Sequence, residues 1–246
     1  MSVGTEKEMQ KVCYALHGFL GRPCDWDMLS EKECGVDALE KVDVFKVGVP
    51  SSSMGMREWA KTFNGSVKES SGQKILMAYS MGGRLALHAL LENPELWQCA
   101  ILVSTHTGLK TSDERALRRV DDEVWARRFE KEPWGSLIGD WNNRDIFVSK
   151  NSPFEREECH YARGDLANIL RYWSLGVQEE FTETIGKLPM PILWIVGEED
   201  RNYRARATAL TFSHPASRVW IAPGVGHRVP WECTRFQEQV NHFLVK

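Results

Sequence analysis

The most constraining stretch of this chain is Lys74-Ile-Leu-Met-Ala-Tyr-Ser-Met-Gly-Gly-Arg84. An apolar run from Ile75 to Ala78 has strand character, Ser80 follows it, and a helix-forming run from Arg84 to Leu91 begins at once. A chain that passes from strand to helix so abruptly needs small side chains around the turn, and Ala78, Gly82 and Gly83 supply them. Such a turn, a nucleophile elbow, pushes the serine out at its tip. It also aims the new helix's backbone N–H groups at any charge that develops there. The usual pattern is G-x-S-x-G, and Ala78 stands where the first glycine would be. On this segment alone a plainer reading stays open, in which Ser80 only caps a helix entered from a glycine-rich turn.

The rest of the chain carries the partners such a serine needs, in the order Ser, acid, His of the α/β-hydrolase pattern. Pro191-Ile-Leu-Trp-Ile-Val196 reads as a buried parallel strand and ends in Gly197-Glu-Glu-Asp200. Asp200 is thereby expected just past a strand's C-terminal edge, where α/β sheets place their chemistry. Val219 to Ala222 is a second short strand, and Pro223-Gly-Val-Gly-His227 follows it. Glycines in that loop let His227 reach back over the sheet edge. A serine hydroxyl is a weak nucleophile or base until an imidazole takes its proton, and a carboxylate must hold the imidazole in the right tautomer. Glu198 and Glu199 are rival acids; Asp200 is preferred, with Glu199 as the fallback.

An oxyanion hole is also legible. Val12 to Leu16 is a strand running into His17-Gly-Phe-Leu-Gly21, and the loop after this strand supplies one backbone N–H, here Phe19. The residue after the nucleophile, Met81, supplies the other. His17 reads as a structural loop histidine. His106, after the strand Ala100 to Val103, is equally compatible with lining the pocket and with packing a loop. No histidine pair has metal-ligand spacing with a carboxylate and no CxxC occurs, so metal catalysis is not expected and no cofactor is implied.

A length of 246 residues with 42% hydrophobic content suits one domain with a substantial core, in which most of the ten tryptophans should lie. The formal charge of -3 gives no reason to expect nucleic acid or an anionic membrane surface as partner. Six scattered cysteines, several in apolar runs, resemble the buried thiols of reducing compartments. Residues 1–10 are polar and charged, so no signal segment is expected there. No apolar stretch approaches the ~20 residues that span a bilayer. A cytoplasmic location without membrane insertion is therefore the expectation, as a monomer or weak homo-oligomer.

Strand and helix patterns alternate up to about Val103 and again from about Pro191, the rhythm of a mostly parallel sheet flanked by helices. Little chain precedes the first strand, so a leading hairpin would be shortened or missing. Residues 112–187 show helical character without a strand pattern, with i, i+4 apolar pairs in Trp125 to Phe129 and Leu166 to Leu170. The expected organisation is a core of residues 1–111 and 188–246 with a helical lid, 112–187, inserted between two strands.

At this level of detail the chain resembles the 2-succinyl-6-hydroxy-2,4-cyclohexadiene-1-carboxylate (SHCHC) synthases, MenH-type members of the α/β-hydrolase superfamily. His17-Gly-Phe-Leu-Gly21 with Asp25-Trp26 is similar to the family's oxyanion loop, and Tyr79-Ser-Met-Gly-Gly-Arg84 to its elbow. Glu114 to Arg118 and Trp125 to Phe129 are similar to its first lid helix. Asp140-Trp141 with Phe147, then Arg163 before Leu175-Gly-Val-Gln178, are similar to its next segments. Gly197 to Asp200 and Gly226-His227 complete the likeness. The resemblance implies a lyase of menaquinone biosynthesis that eliminates pyruvate from a succinyl-cyclohexene precursor without a cofactor. It further implies that Arg84, Arg118 and Arg163 bind the carboxylates of a small anionic substrate, with Tyr79 and Trp141 lining the pocket. Guanidinium groups suit that task because they are planar, charged and bidentate. Arg115, Arg119, Arg127 and Arg128 are expected at the surface. One departure is Val49-Pro-Ser-Ser-Ser-Met-Gly55, which stands where many family members carry a Pro-Gly-His-Gly-type loop. The loop is expected to border the site.

The same three chemical groups would serve a serine carboxylesterase or thioesterase acting through an acyl-enzyme. A binding protein on this scaffold would have no need of all three.

Overall fold

The computed structural model describes residues 9–147 and 152–245. Residues 1–8, most of the stretch in which no signal segment is expected, and 148–151, within the expected lid, lie outside the described residues.

Six strands form one sheet: β1 (Lys11–Leu16), β2 (Ala38–Val42), β3 (Gln73–Tyr79), β4 (Cys99–Val103), β5 (Ile192–Gly197) and β6 (Arg218–Ala222). Their order is β2-β1-β3-β4-β5-β6 and every pairing is parallel. The sheet thus grows outward from β1 to β2, then reverses through β3 and continues to β6. This reversal leaves a crevice beyond the C-terminal ends of β1 and β3, the place where open parallel sheets bind ligands. Among the described residues β1 is the first strand.

Continuous apolar runs are needed because both sheet faces are covered. Alternate residues serve opposite cores: Leu76, Ala78, Leu102 and Trp194 face one, while Ile75, Met77, Ile101 and Leu193 face the other. After the short turns α1 (Glu31–Cys34) and α2 (Val44–Val47), the helices α3 (Met56–Lys68) and α4 (Met81–Glu92) cover the first face. Trp59 and Phe63 of α3 lie in that core with Leu85 and Ala89 of α4.

Between β4 and β5 the described chain holds α5 (Ser112–Lys131), α6 (Trp134–Asn142), α7 (Arg163–Tyr172) and α8 (Thr182–Gly186), with no strand. A capping box starts α5: Glu114 N donates to Thr111 Oγ1 at 3.1 Å and Thr111 N to the Glu114 carboxylate at 2.9 Å. Arg171 of α7 binds Glu123 and Glu130 of α5, at 2.8 and 2.5 Å, so the two helices are tied by charge as well as by apolar contact. The chain ends in α9 (Arg201–Thr208), α10 (Val229–Glu232) and α11 (Phe236–Leu244), the last lying on the second core with Phe236, Val240 and Phe243.

Six of the ten tryptophans are buried, as a core role requires. Cys13, Cys34 and Cys99 are buried free thiols; burial raises the pKa of Cys34 to about 11 and of Cys99 to about 12, which suppresses their thiolates. Among the described residues no helix is long and apolar enough to cross a membrane.

Candidate active site

β3 delivers Ser80 through a strained turn. Its φ of 53° and ψ of −111° are rare for a residue with a Cβ. Two backbone bonds hold that conformation, Ser80 N to Val103 O on β4 at 2.9 Å and Arg84 N to Ser80 O at 3.1 Å. The turn also brings α4 against the end of β1: a Cβ on Gly82 would lie 2.4 Å from His17 O and 2.8 Å from Leu16 O. Gly82 is therefore required by a close backbone approach, whereas Ala78, inside β3, fits as the sequence allowed.

Asp200 follows β5, and His227 occupies the loop between β6 and α10. These loops nearly touch, since a Cβ on Gly197 would meet Gly226 O at 2.0 Å. His227 Nδ1 donates to Asp200 Oδ2 at 2.6 Å, which leaves Nε2 to accept from the Ser80 hydroxyl at 2.9 Å. Asp200 and His227 are 4% and 2% exposed, so the relay is shielded from water. Glu198 instead accepts from Gly224 N at 2.9 Å, and Glu199 is exposed. Ser104 Oγ donates to His227 O at 2.8 Å, and the rings of Tyr203 and Tyr79 lie 4.7 and 5.5 Å from the imidazole.

A cavity of about 110 Å³ opens above Ser80 and His227. Phe19, Met81, Tyr79, Arg84, Arg118 and Trp141 all line it. No acceptor among the described residues takes the backbone N–H of Phe19 or Met81. Arg84 is 9% exposed and has no carboxylate within ion-pair distance among the described residues; its Nη1 donates to Trp173 O at 2.7 Å. Burial, then the charge of Arg118, lowers its pKa to about 10, so it stays charged at neutral pH. Arg118 is fixed by Asp122, Nε to Oδ1 at 2.8 Å. Burial opposes its charge, but Asp122, Tyr203 and Asp121 together outweigh burial and raise its pKa.

Arg163 is elsewhere. It starts α7 and donates to Phe129 O at 3.1 Å and Glu132 O at 2.7 Å, closing the carbonyl end of α5, while its Nε meets Glu158 at 2.6 Å. It is absent from the cavity lining. The 49–55 loop does not line the cavity either, but Met54 O accepts from Trp173 Nε1 at 2.8 Å and so steadies a wall residue. His17 donates from Nδ1 to Gly18 O at 3.0 Å and accepts Val44 N at 3.4 Å on Nε2, a structural role. His106 accepts Gly108 N at 3.0 Å and packs against Tyr203, away from the cavity.

Wall residues that the sequence did not single out include the polar groups of Asp122, Arg144 and Tyr203. Tyr203 lies one helical turn past Asp200, a spacing that could have flagged it. Arg144 lies three residues past Trp141, but its direction depends on the turn after α6.

A wholly parallel sheet with a serine elbow after β3, an acid after β5 and a histidine after β6 defines an α/β-hydrolase. The chain belongs to the family described as serine aminopeptidase, S33 (Hydrolase_4), whose model matches residues 47–233. It resembles curated proteins named 2-succinyl-6-hydroxy-2,4-cyclohexadiene-1-carboxylate synthase. One from Escherichia coli O1:K1 is 30% identical over 62% of this chain; the chain spans 60% of that relative's length. A Bacillus subtilis (strain 168) protein provisionally given the same name is 29% identical over 93% of this chain and 88% of its own. Among solved structures, MenH from S. aureus superposes with a TM-score of 0.78 at 20% identity, covering 98% of this chain and 96% of that one. A thermophilic esterase from Thermogutta terrifontis superposes with a TM-score of 0.72 at 18% identity, covering 97% and 90%. At these identities the structures speak for the fold alone.

Proposed function

We propose that this chain is a carbon–oxygen lyase that eliminates pyruvate from a succinyl-cyclohexene carboxylate, the SHCHC synthase step of menaquinone biosynthesis. The observation that carries the reading is Arg84: a buried guanidinium without a carboxylate partner among the described residues, in the same cavity as Ser80 and His227. A buried cation is costly unless an anion arrives to meet it. A site for neutral esters has no use for one, whereas a substrate with several carboxylates does.

In this mechanism the Ser80 oxygen takes a proton from a ring carbon of the substrate while its own proton passes to His227 Nε2. The C–H electron pair becomes a new ring double bond, and the ring carbon–oxygen bond breaks to release the enolate of pyruvate. Ser80 keeps the proton taken from the ring, His227 gives its own to the departing pyruvate enolate, and Asp200 steadies the imidazolium until then. The Phe19 and Met81 amides stabilise developing oxyanion charge, and Arg84 and Arg118 hold the carboxylates in a reactive pose. Tyr79 and Trp141 form the walls, and residues 112–187 act as a lid over them. No acyl-enzyme forms and no cofactor is called for. We expect a cytoplasmic protein, monomeric or weakly self-associating.

The Ser80–His227–Asp200 geometry equally favours acyl transfer, and so a carboxylesterase or thioesterase is the second reading. A paired assay separates them. Pyruvate release from the succinyl-cyclohexene precursor with feeble cleavage of short-chain p-nitrophenyl esters is the expected result. Fast ester cleavage without pyruvate would overturn the lyase reading.

A further inference from the structure

We infer that Arg144 is a further carboxylate-binding arginine of the cavity, supplying the contact for which the resemblance had suggested Arg163. The inference deepens the proposed reading and rests on its anionic substrate.

Three guanidiniums, Arg84, Arg118 and Arg144, line the cavity of Ser80 and His227, and among the described residues Asp122 is the one carboxylate lining it. Both oxygens of Asp122 are engaged, Oδ1 by Arg118 Nε at 2.8 Å and Oδ2 by the Ser174 hydroxyl at 2.7 Å. With Asp121 meeting Arg144 at 3.7 Å, the described residues set two carboxylates against these three guanidiniums, and a ligand's carboxylate would balance the charge that remains.

Arg144 is held where it could serve. Its guanidinium carbon lies 4.5 Å from the Trp141 ring centroid and 5.3 Å from that of Trp125. Stacking engages the faces of a guanidinium, and its donors lie in the plane at the edges, so a stacked arginine keeps its geometry for a carboxylate. The Asp121 carboxylate at 3.7 Å is more than half exposed, a loose partner with which a ligand would compete. Burial, followed by the charge of Arg118, disfavours the cationic form of Arg144, and an arriving anion relieves both. Arg118 and Arg144 also line a broader surface cleft running past Asp200 and Tyr203, so they stand where a ligand passes from cleft to cavity. Arg163 cannot do this while its donors close the end of α5.

The test compares Arg144→Ala, Arg144→Lys and Arg163→Ala with the wild type, in two arms. In the first, pyruvate release from the precursor is followed. Arg144→Ala should raise KM by about 10- to 100-fold, the worth of a charge-assisted hydrogen bond, with kcat little changed. Arg144→Lys should recover part of the loss, and Arg163→Ala should leave KM unchanged while lowering the melting temperature. An unchanged KM in Arg144→Ala, with the wild type active, overturns the inference and leaves the proposed function standing. In the second arm, tricarballylate is titrated against tryptophan fluorescence, which needs no turnover. Binding weakened about tenfold or more in Arg144→Ala supports the inference even if no pyruvate is released. Equal affinity in the two proteins, or no tricarballylate binding by the wild type at millimolar concentration, overturns it.

Discussion

Asp25 receives both terminal nitrogens of Arg156, at 2.8 and 2.7 Å, across a sequence separation of 131 residues. The carboxylate is 3% exposed and belongs to the turn that follows the Phe19 loop; Arg156 belongs to the chain between α6 and α7. Close by, the Tyr161 hydroxyl donates to Leu20 O at 2.8 Å. The segment bearing the proposed oxyanion amide is thus fastened to the helical insertion above it. Burial lowers the pKa of Arg156, but its bonds to Asp25 win and raise it.

Breaking this pair should be expensive, because either partner alone is a buried, uncompensated charge. Arg156→Met and Asp25→Asn should each cost about 3–5 kcal/mol, and the double variant should lose much less than the sum. Urea unfolding of the four proteins gives the coupling directly. Additive losses would show that the pair contributes no mutual energy.

Ser80→Ala should leave the fold intact and lower kcat by about 10²–10⁴, the range for a positioned acid–base group. Arg84→Ala acts differently. It should weaken anionic substrate by about 10- to 100-fold in KM and also destabilise, because Trp173 O loses its buried donor. Normal turnover in Ser80→Ala would remove the serine from the chemistry, and an unchanged KM in Arg84→Ala would remove the arginine from binding.

Gly82→Ala tests the elbow. The added methyl meets two backbone oxygens at 2.4 and 2.8 Å, neither of which can swing aside as a side chain would. α4 and the end of β1 must separate, so stability should fall by about 1–3 kcal/mol and activity with it, since the His17 to Gly21 loop begins there. A melting temperature and kcat equal to wild type would mean that the backbone approach is looser than described.

Stability should also depend on pH through buried histidines. Burial, then Arg206, lowers the pKa of His106 from 6.5 to about 2; burial, then Arg84, lowers that of His88 to about 4. Below pH 6.5 the unfolded chain binds protons that the folded chain refuses. Stability is therefore full above about pH 6.5 and falls as pH drops toward about 4, by roughly 1.4 kcal/mol per pH unit for each histidine. His106→Asn, whose amide oxygen can take the Gly108 N–H, should flatten that fall. A slope unaltered by the substitution would refute the assignment.

The chain's local patterns made the frame legible. Each strand read from apolar runs matches an observed strand within a residue or two, as with Ile75 to Ala78 inside β3 and Val219 to Ala222 inside β6. Ser80, Asp200 and His227 were readable because each lies just past a strand. A parallel sheet carries every such position to the same edge, so chain order is enough to predict that they converge.

The arginines were decided by tertiary structure. Arg118 points into the cavity, Arg163 closes the end of α5 instead, and Arg144 reaches the cavity from the turn after α6. A helical period says which residues share a face, but not what that face meets. That depends on how α5, α6 and α7 pack over the sheet, through contacts such as Arg171 with Glu123 and Glu130 and Asp25 with Arg156, far apart in sequence. Residues next to a strand end inherit their place from local backbone geometry. The direction of a long, flexible side chain is fixed only by the carbonyls, rings and carboxylates that packing brings within its reach.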